Sequence, residues 1–169
     1  MNQFLILLFL FVASSIANAK ILNDFPFDDY PAKEAVSKKA KLKLGSNKLG
    51  KTFKTAITEG YQNGDNNFAG HYVAVFWGCG TGCSQGAIVD SLDGKIYSLP
   101  LEHSYRGAYI EDNDNIKFNK NSRLLVTYDS ERMDDSSNKV KLSYYYYVLD
   151  EKTKKFNVAL TKIEETIEE

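Results

Sequence analysis

His71-Tyr72-Val73-Ala74-Val75-Phe76-Trp77 is the stretch on which the fold turns, because it is apolar along nearly its whole length. Side chains alternate across a strand, so His71, Val73, Val75 and Trp77 share one face while Tyr72, Ala74 and Phe76 share the other. A strand apolar on both faces has to be covered on both, which predicts the central, doubly covered strand of a sheet. It runs straight into Gly78-Cys79-Gly80-Thr81-Gly82-Cys83-Ser84-Gln85-Gly86, where four glycines in nine positions predict a tight loop.

Working outward, Gly86 to Asp90 and Lys95 to Leu99 read as strands flanking Ser91-Leu92-Asp93-Gly94, a hairpin signal that ends in Asp-Gly. Arg123 to Tyr128 and Leu142 to Leu149 are strand-like, with the polar stretch Asp129 to Asn138 between them. Phe156, Val158 and Leu160 alternate with Asn157, Ala159 and Thr161 after a Lys-rich turn, and the acidic tail Glu164 to Glu169 follows. On the N-terminal side, Phe53, Ala56, Ile57 and Tyr61 fall on one helical face that stops at the Gly60 to Gly64 breakers. Before them, Pro31 suits the first turn of a short helix through Ala35 and Val36. Ala40, Leu42 and Leu44 alternate with Lys39, Lys41 and Lys43 as a short edge strand blunted by lysines. The fold class expected is α+β or mainly β, with short N-terminal helices followed by an antiparallel sheet or sandwich of about six strands. A closed propeller needs four or more blades, more than this length supplies.

The chain has 169 residues, 43% hydrophobic and 25% charged, which is one domain's worth of ordinary globular sequence. An aromatic content of 13% excludes bulk disorder, and a formal net charge of −1 argues against a nucleic-acid binder. Phe4 to Val12 is apolar, too short to span a bilayer, and leads to Ala17-Asn18-Ala19, a small-x-small cleavage pattern. The division expected is a signal peptide over 1–19, a basic N-terminal segment over 20–50 and a single β-rich domain over 51–169. Cleavage near Ala19-Lys20 would leave a periplasmic or secreted protein with no membrane span.

The cysteine loop carries the chemistry. Two Cys in an exported chain predict a Cys79–Cys83 disulfide, and the intervening glycines permit the bend. Glycine backbone N–H groups can converge on an anion or a partner's carbonyl. The candidate binding residues are therefore His71, Trp77, Gly80, Thr81, Gly82 and Ser84, with the loop, Trp77 and His71 expected close together at one end of the sheet. The plainer uses are a stapled turn for the loop and a buried ring bonded to a backbone carbonyl for His71.

Competing chemistries fit less well. Gly82-Cys83-Ser84-Gln85-Gly86 matches the nucleophile-elbow spelling, making a small serine hydrolase with Ser84 and His71 or His103 the alternative function. The elbow needs a helix after the Ser, and Ala87-Ile88-Val89-Asp90 reads as strand. Cys79, Cys83, His71 and His103 have spacing foreign to common zinc sites, and a redox pair would be C-x-x-C opening a helix. The acidic run from Glu111 fails the EF-hand pattern at Ile116. Tyr144 to Tyr147 sends two rings to each face of its strand, for core packing or for contact. Neither a cofactor nor a metal site is expected.

Asn67-Phe68-Ala69-Gly70-His71-Tyr72, Trp77-Gly78-Cys79-Gly80-Thr81-Gly82-Cys83, Gly86-Ala87-Ile88-Val89-Asp90 and Gly94-Lys95-Ile96-Tyr97 together resemble a group of small exported bacterial proteins. Their shared pattern is NFAGHY–WGCGT–C–GAI-D–GK-Y, followed by a strand such as Ser122-Arg123-Leu124-Leu125. The resemblance covers roughly residues 53–128. It implies a bacterial, periplasmic protein and supplies no reaction. The function expected is a non-enzymatic binding module for a protein or cell-envelope ligand, inhibitor- or immunity-like by analogy.

Overall fold

The computed structural model describes residues 25–33, 35–80, 83–102, 115–133 and 139–167. The expected signal peptide, Thr81, Gly82, His103 and the acidic run 111–114 lie outside them.

Among the described residues, two short α-helices, α1 (Lys48–Thr52) and α2 (Lys54–Asn63), precede seven strands. β1 (Tyr72–Gly80), β2 (Cys83–Asp90) and β3 (Ile96–Ser98) form one antiparallel sheet in that order. β4 (Ile116–Phe118), β5 (Leu124–Arg132), β6 (Lys139–Asp150) and β7 (Lys155–Ile167) form a second, also in sequence order. The protein is α+β, with two stacked sheets and a helix on the outside of the first.

Three apolar clusters hold the layers together. Tyr72, Ala74 and Ile88 from the first sheet meet Leu125, Tyr147 and Leu149 from the second, with Phe68 and Leu99 completing the space between. On the opposite face of the first sheet, Val73, Val75, Val89 and Ile96 pack on Ile57 and Tyr61 of α2. The alternation read from the sequence thus assigns both faces of β1 correctly. On the outer face of the second sheet, Leu124, Val126, Val140 and Tyr146 are covered by Phe25, Phe27 and Tyr30. Tyr144 and Tyr146 belong to that cluster, and Tyr145 and Tyr147 to the layer between the sheets. The four tyrosines are core and cross-strand packing.

β1 is covered on both faces, yet it is an edge strand, and β2 is the central one. Its free edge is closed at one end by a side chain. Asn67 Oδ1 accepts from the Ala74 N–H at 2.7 Å, and its Nδ2 donates to the Ala74 carbonyl at 3.3 Å. An amide presents a donor and an acceptor as a neighbouring strand would, so Asn67 blunts the edge. Between them the chain reverses through Ala69 and Gly70, both at positive φ.

The helix read from Phe53, Ile57 and Tyr61 is α2, and Gly64 follows its last turn. A Cβ on Gly60 would fall on the side chain of Val75, so glycine there lets α2 lie directly on β1. Asn47 caps α1, accepting from Gly50 N–H at 2.9 Å, and donates to the Ile96 carbonyl at 2.6 Å. The Asp93-Gly94 hairpin forms as expected, with Gly94 at φ +75° and Asp90 N–H donating to Lys95 O.

Two N-terminal expectations fail. The short helix expected from Pro31 through Val36 is absent among the described residues there: Pro31 instead bridges to Ser122, and a 3₁₀ turn at Phe27–Asp29 precedes it. Residues 39–43 form no strand. They donate from Ala40 to Ser91 O and from Lys43 to Gly94 O, single bonds to the β2–β3 turn. β4 went unread, and β7 runs on through Glu164 and Glu165, where a charged tail was expected.

Candidate functional site

The β1–β2 hairpin has two chemically distinct ends. Tyr72 pairs with Asp90 at one end and Gly78 with Ser84 at the other, separated by roughly 20 Å of strand. His71 therefore lies far from the cysteine loop, against the expectation that they meet.

At the loop end the disulfide Cys79–Cys83 is formed, with Cα atoms 5.2 Å apart. It commits both sulfurs, so neither thiolate is free for zinc. Gly80 has φ +134°, and the register shifts between Gly78 and Gly80. A Cβ on either glycine would meet nothing within 4 Å, so these two positions stand clear of the core. Ser84 sits inside β2, with Gln85 to Asp90 continuing as strand. The strand–turn–helix of a nucleophile elbow is not built here, and His71 is out of reach of the hydroxyl.

Beside the tip is a cleft of about 460 Å³ lined by Leu49, Phe53, Trp77, Ser84, Leu99 and Glu102 among others. Its wall is the Phe53–Trp77 pair, with ring centroids 4.7 Å apart. Trp77 Nε1 donates to Gln85 Oε1 at 3.2 Å, which fixes the indole over the strand. A second cleft of about 490 Å³, lined by Asn47, Tyr97, Pro100, Lys154, Lys155 and Phe156, shares Ser98, Leu99 and Glu102 with the first. The two form one groove along the outer edge of β3.

The groove's floor includes open backbone. β3 covers only Ala87 to Val89 of β2, and Leu99 N–H reaches Gly86 O before Pro100 turns the chain away. Antiparallel alternation points the N–H and C=O of Ser84 away from β1, and those of Ser98 away from β2. Neither residue has a backbone partner among the described residues. Of the candidate residues, the structure brings Trp77 and Ser84 into the groove, while Gly80 does not line it but pairs with Cys83, which does. Thr81 and Gly82 are outside the described residues. Sequence reasoning missed Phe53, Ser98 and Leu99 as groove residues: Phe53 was read only as part of a helical stripe, and the one signal for Ser98 and Leu99 was a short strand cut off by Pro100.

The other end of the hairpin holds a buried charge cluster. Lys154 Nζ lies 3.1 Å from both Asp90 Oδ2 and Glu151 Oε2 and donates to Tyr72 Oη at 2.6 Å. The Tyr72 hydroxyl donates to Glu151 Oε2 at 2.7 Å. His71 stacks on Tyr72 with centroids 4.3 Å apart, its Nε2 3.6 Å from Asp90 and 3.8 Å from Glu151. It is buried, as the plainer reading held, but neither ring nitrogen has a hydrogen-bond partner, carbonyl or otherwise, among the described residues. Burial disfavours the charged lysine, yet its bonds to Asp90 and Glu151 outweigh that and hold the Lys154 pKa above the usual value. Burial, then Glu151, push the Tyr72 hydroxyl far above the ordinary tyrosine range. The Lys154 ammonium occupies the place between the carboxylates that a bound cation would take. The cluster is closed, and it ties the β6–β7 turn to the first sheet.

Comparison with family models, with curated proteins and with solved structures gives no match, so the site is read from its own geometry. No helix among the described residues is long and apolar enough to cross a membrane.

Proposed function

We propose that this chain is an exported, non-enzymatic binding module whose groove along β3 takes an extended polypeptide segment of a partner protein. The observation that carries the reading is the open backbone of Ser84 and Ser98 beside the Phe53–Trp77 wall. Unpaired strand edges bind extended peptides through main-chain hydrogen bonds, and adjacent apolar pockets select side chains. Glu102 and Lys155 on the groove add a charge of each sign for choosing among segments. The stapled tip keeps the strand that presents Ser84 in one shape, which lowers the ordering cost of binding. The resemblance to small exported bacterial proteins supports a cell-envelope setting.

Ser98→Pro tests this. It deletes the outward N–H of an edge strand while leaving the β2–β3 bonds in place. Wild type and variant, both shown folded by near-ultraviolet circular dichroism, are used as bait in an envelope extract. The proposal expects a protein retained by wild type and lost with Ser98→Pro; equal capture overturns it. A serine-hydrolase probe that labels the wild type and not Ser84→Ala would replace it with the hydrolase reading.

A further inference from the structure

β7 is the one long edge left bare on both faces among the described residues. Every residue from Asn157 to Ile163 is exposed, although the β6 tyrosines beside them are buried or half-buried. Of the five exposed large hydrophobics among the described residues, Val158, Leu160 and Ile163 are on this strand. Edge strands are ordinarily short, covered or broken by a bulge. β7 has a bulge at Ala159, but from Leu160 to Ile167 it is regular and pairs residue for residue with β6. Leu149 N–H donates to Arg123 O, so the odd residues of β6 face β5 and its even residues face β7. In the regular stretch this leaves the N–H and C=O of Thr161, Ile163, Glu165 and Ile167 pointing outward.

We infer that this edge is self-complementary and joins two copies of the chain through antiparallel β7–β7 pairing, merging two four-stranded sheets into one. Two-fold symmetry makes the register a short list, because each choice is defined by the residue on the axis. With Lys162 or Glu164 on the axis, a charge lies opposite its own copy, which is destabilising in a cross-strand pair. With Thr161 on the axis, Lys162 lies opposite Leu160. With Ile163 on the axis, Lys162 of each copy lies opposite Glu164 of the other, twice, and the exposed Ile163 side chains meet at the centre. That register also pairs outward-facing Thr161 with outward-facing Glu165, as an antiparallel ladder requires. Within one chain Lys162 and Glu164 already form an ion pair on one face of β7, so the dimer would hold four alternating charges. Charges placed only to repel a second edge need no such order.

The test is sedimentation equilibrium of the purified full-length chain and three variants over about 1–200 µM. Wild type is expected to dimerise reversibly. Lys162→Glu and Glu164→Lys each turn two attractive pairs into two repulsive ones and should weaken the dimer about 10- to 30-fold. The double swap Lys162→Glu/Glu164→Lys restores opposite charges in the same register and should return the dissociation constant to within a few-fold of wild type. Ile163→Pro, which removes an outward N–H and no β6–β7 bond, should give a monomer of native circular dichroism. A monomeric wild type across the range overturns the inference, as does a dimer indifferent to the single reversals or not rescued by the double.

Discussion

Lys154→Met removes the only ammonium among the described residues that faces both Asp90 and Glu151, and its cost can be worked from the geometry. The Asp90 side chain is 3% exposed and that of Glu151 is 10% exposed, while Lys154 is 24% exposed. Removing one partner of a buried ion pair leaves an uncompensated charge, which costs about 3–5 kcal/mol when burial is complete. The part-exposed lysine lets some water reach the site, so a loss of about 2–4 kcal/mol is expected. At an m-value of about 2 kcal/mol/M, that moves the urea midpoint down by roughly 1–2 M with the slope unchanged. Trp77 is the only tryptophan in the chain and stacks on Phe53 of the opposite layer, so its fluorescence reports the transition.

The mechanism predicts a second observation that simple loss of packing does not. Glu151→Gln takes away one of the carboxylates that Lys154 neutralises, so the double variant should cost less than the sum of the singles by at least about 1 kcal/mol. The loss should also persist at high salt, since buried charges are weakly screened. A Lys154→Met variant within 0.5 kcal/mol of wild type, or additive singles, would refute the assignment of the cluster as the tie between the sheets.

Three further outcomes follow from the same geometry. Gly60→Ala gains roughly 1 kcal/mol of helix propensity but drives a methyl into Val75, and overpacking of about 1–3 kcal/mol should leave it less stable in urea; a more stable variant would mean α2 does not lie so close. Reducing Cys79–Cys83 should cost only about 2 kcal/mol, the chain-entropy value for so small a ring, with far-ultraviolet circular dichroism unchanged. Lys154 and Tyr72 both have folded pKa values above their unfolded ones, so the stability they contribute is complete below about pH 10 and is lost as pH rises beyond it. Tyr72→Phe should flatten that alkaline decline in a series of urea titrations.

Alternation and turn chemistry were legible where side chains decide the local structure. The two faces of β1, the helical stripe Phe53, Ile57 and Tyr61, and the Asp93-Gly94 turn all follow from spacing alone. Coverage of both faces does not reveal a strand's place in its sheet, because the edge of β1 is closed by Asn67 and not by a strand. The lysine-rich 39–43 stretch alternates like a strand but finds only isolated acceptors on the β2–β3 turn, and single bonds do not make a ladder. β7 extends through its glutamates because β6 offers backbone partners as far as Lys139, and ladder bonds ignore side-chain charge. The charge cluster was out of reach for another reason. Asp90 and Lys154 are brought together only by the stacking of the two sheets, and the one local sign was a carboxylate at the end of Ala87-Ile88-Val89.

On the proposed reading, binding and folding are divided between the two ends of one hairpin. At the Asp90 end the strands are held by buried charges and by packing between the sheets, so changes there register as stability. At the loop end, a Cβ on Gly78 or Gly80 would meet nothing within 4 Å, so side-chain packing does not constrain these two positions. The disulfide supplies there what the core does not, and Gly80 supplies the positive φ that the turn requires. Gly80→Val would therefore place its strain on the tip, where the cost falls on the local geometry that presents Ser84 and far from the clusters that stabilise the fold. Functional residues held on a rigid scaffold but outside its packing are free to vary with the ligand. The groove sits where that freedom begins, between Trp77, anchored against Phe53, and Ser84, one residue from the staple.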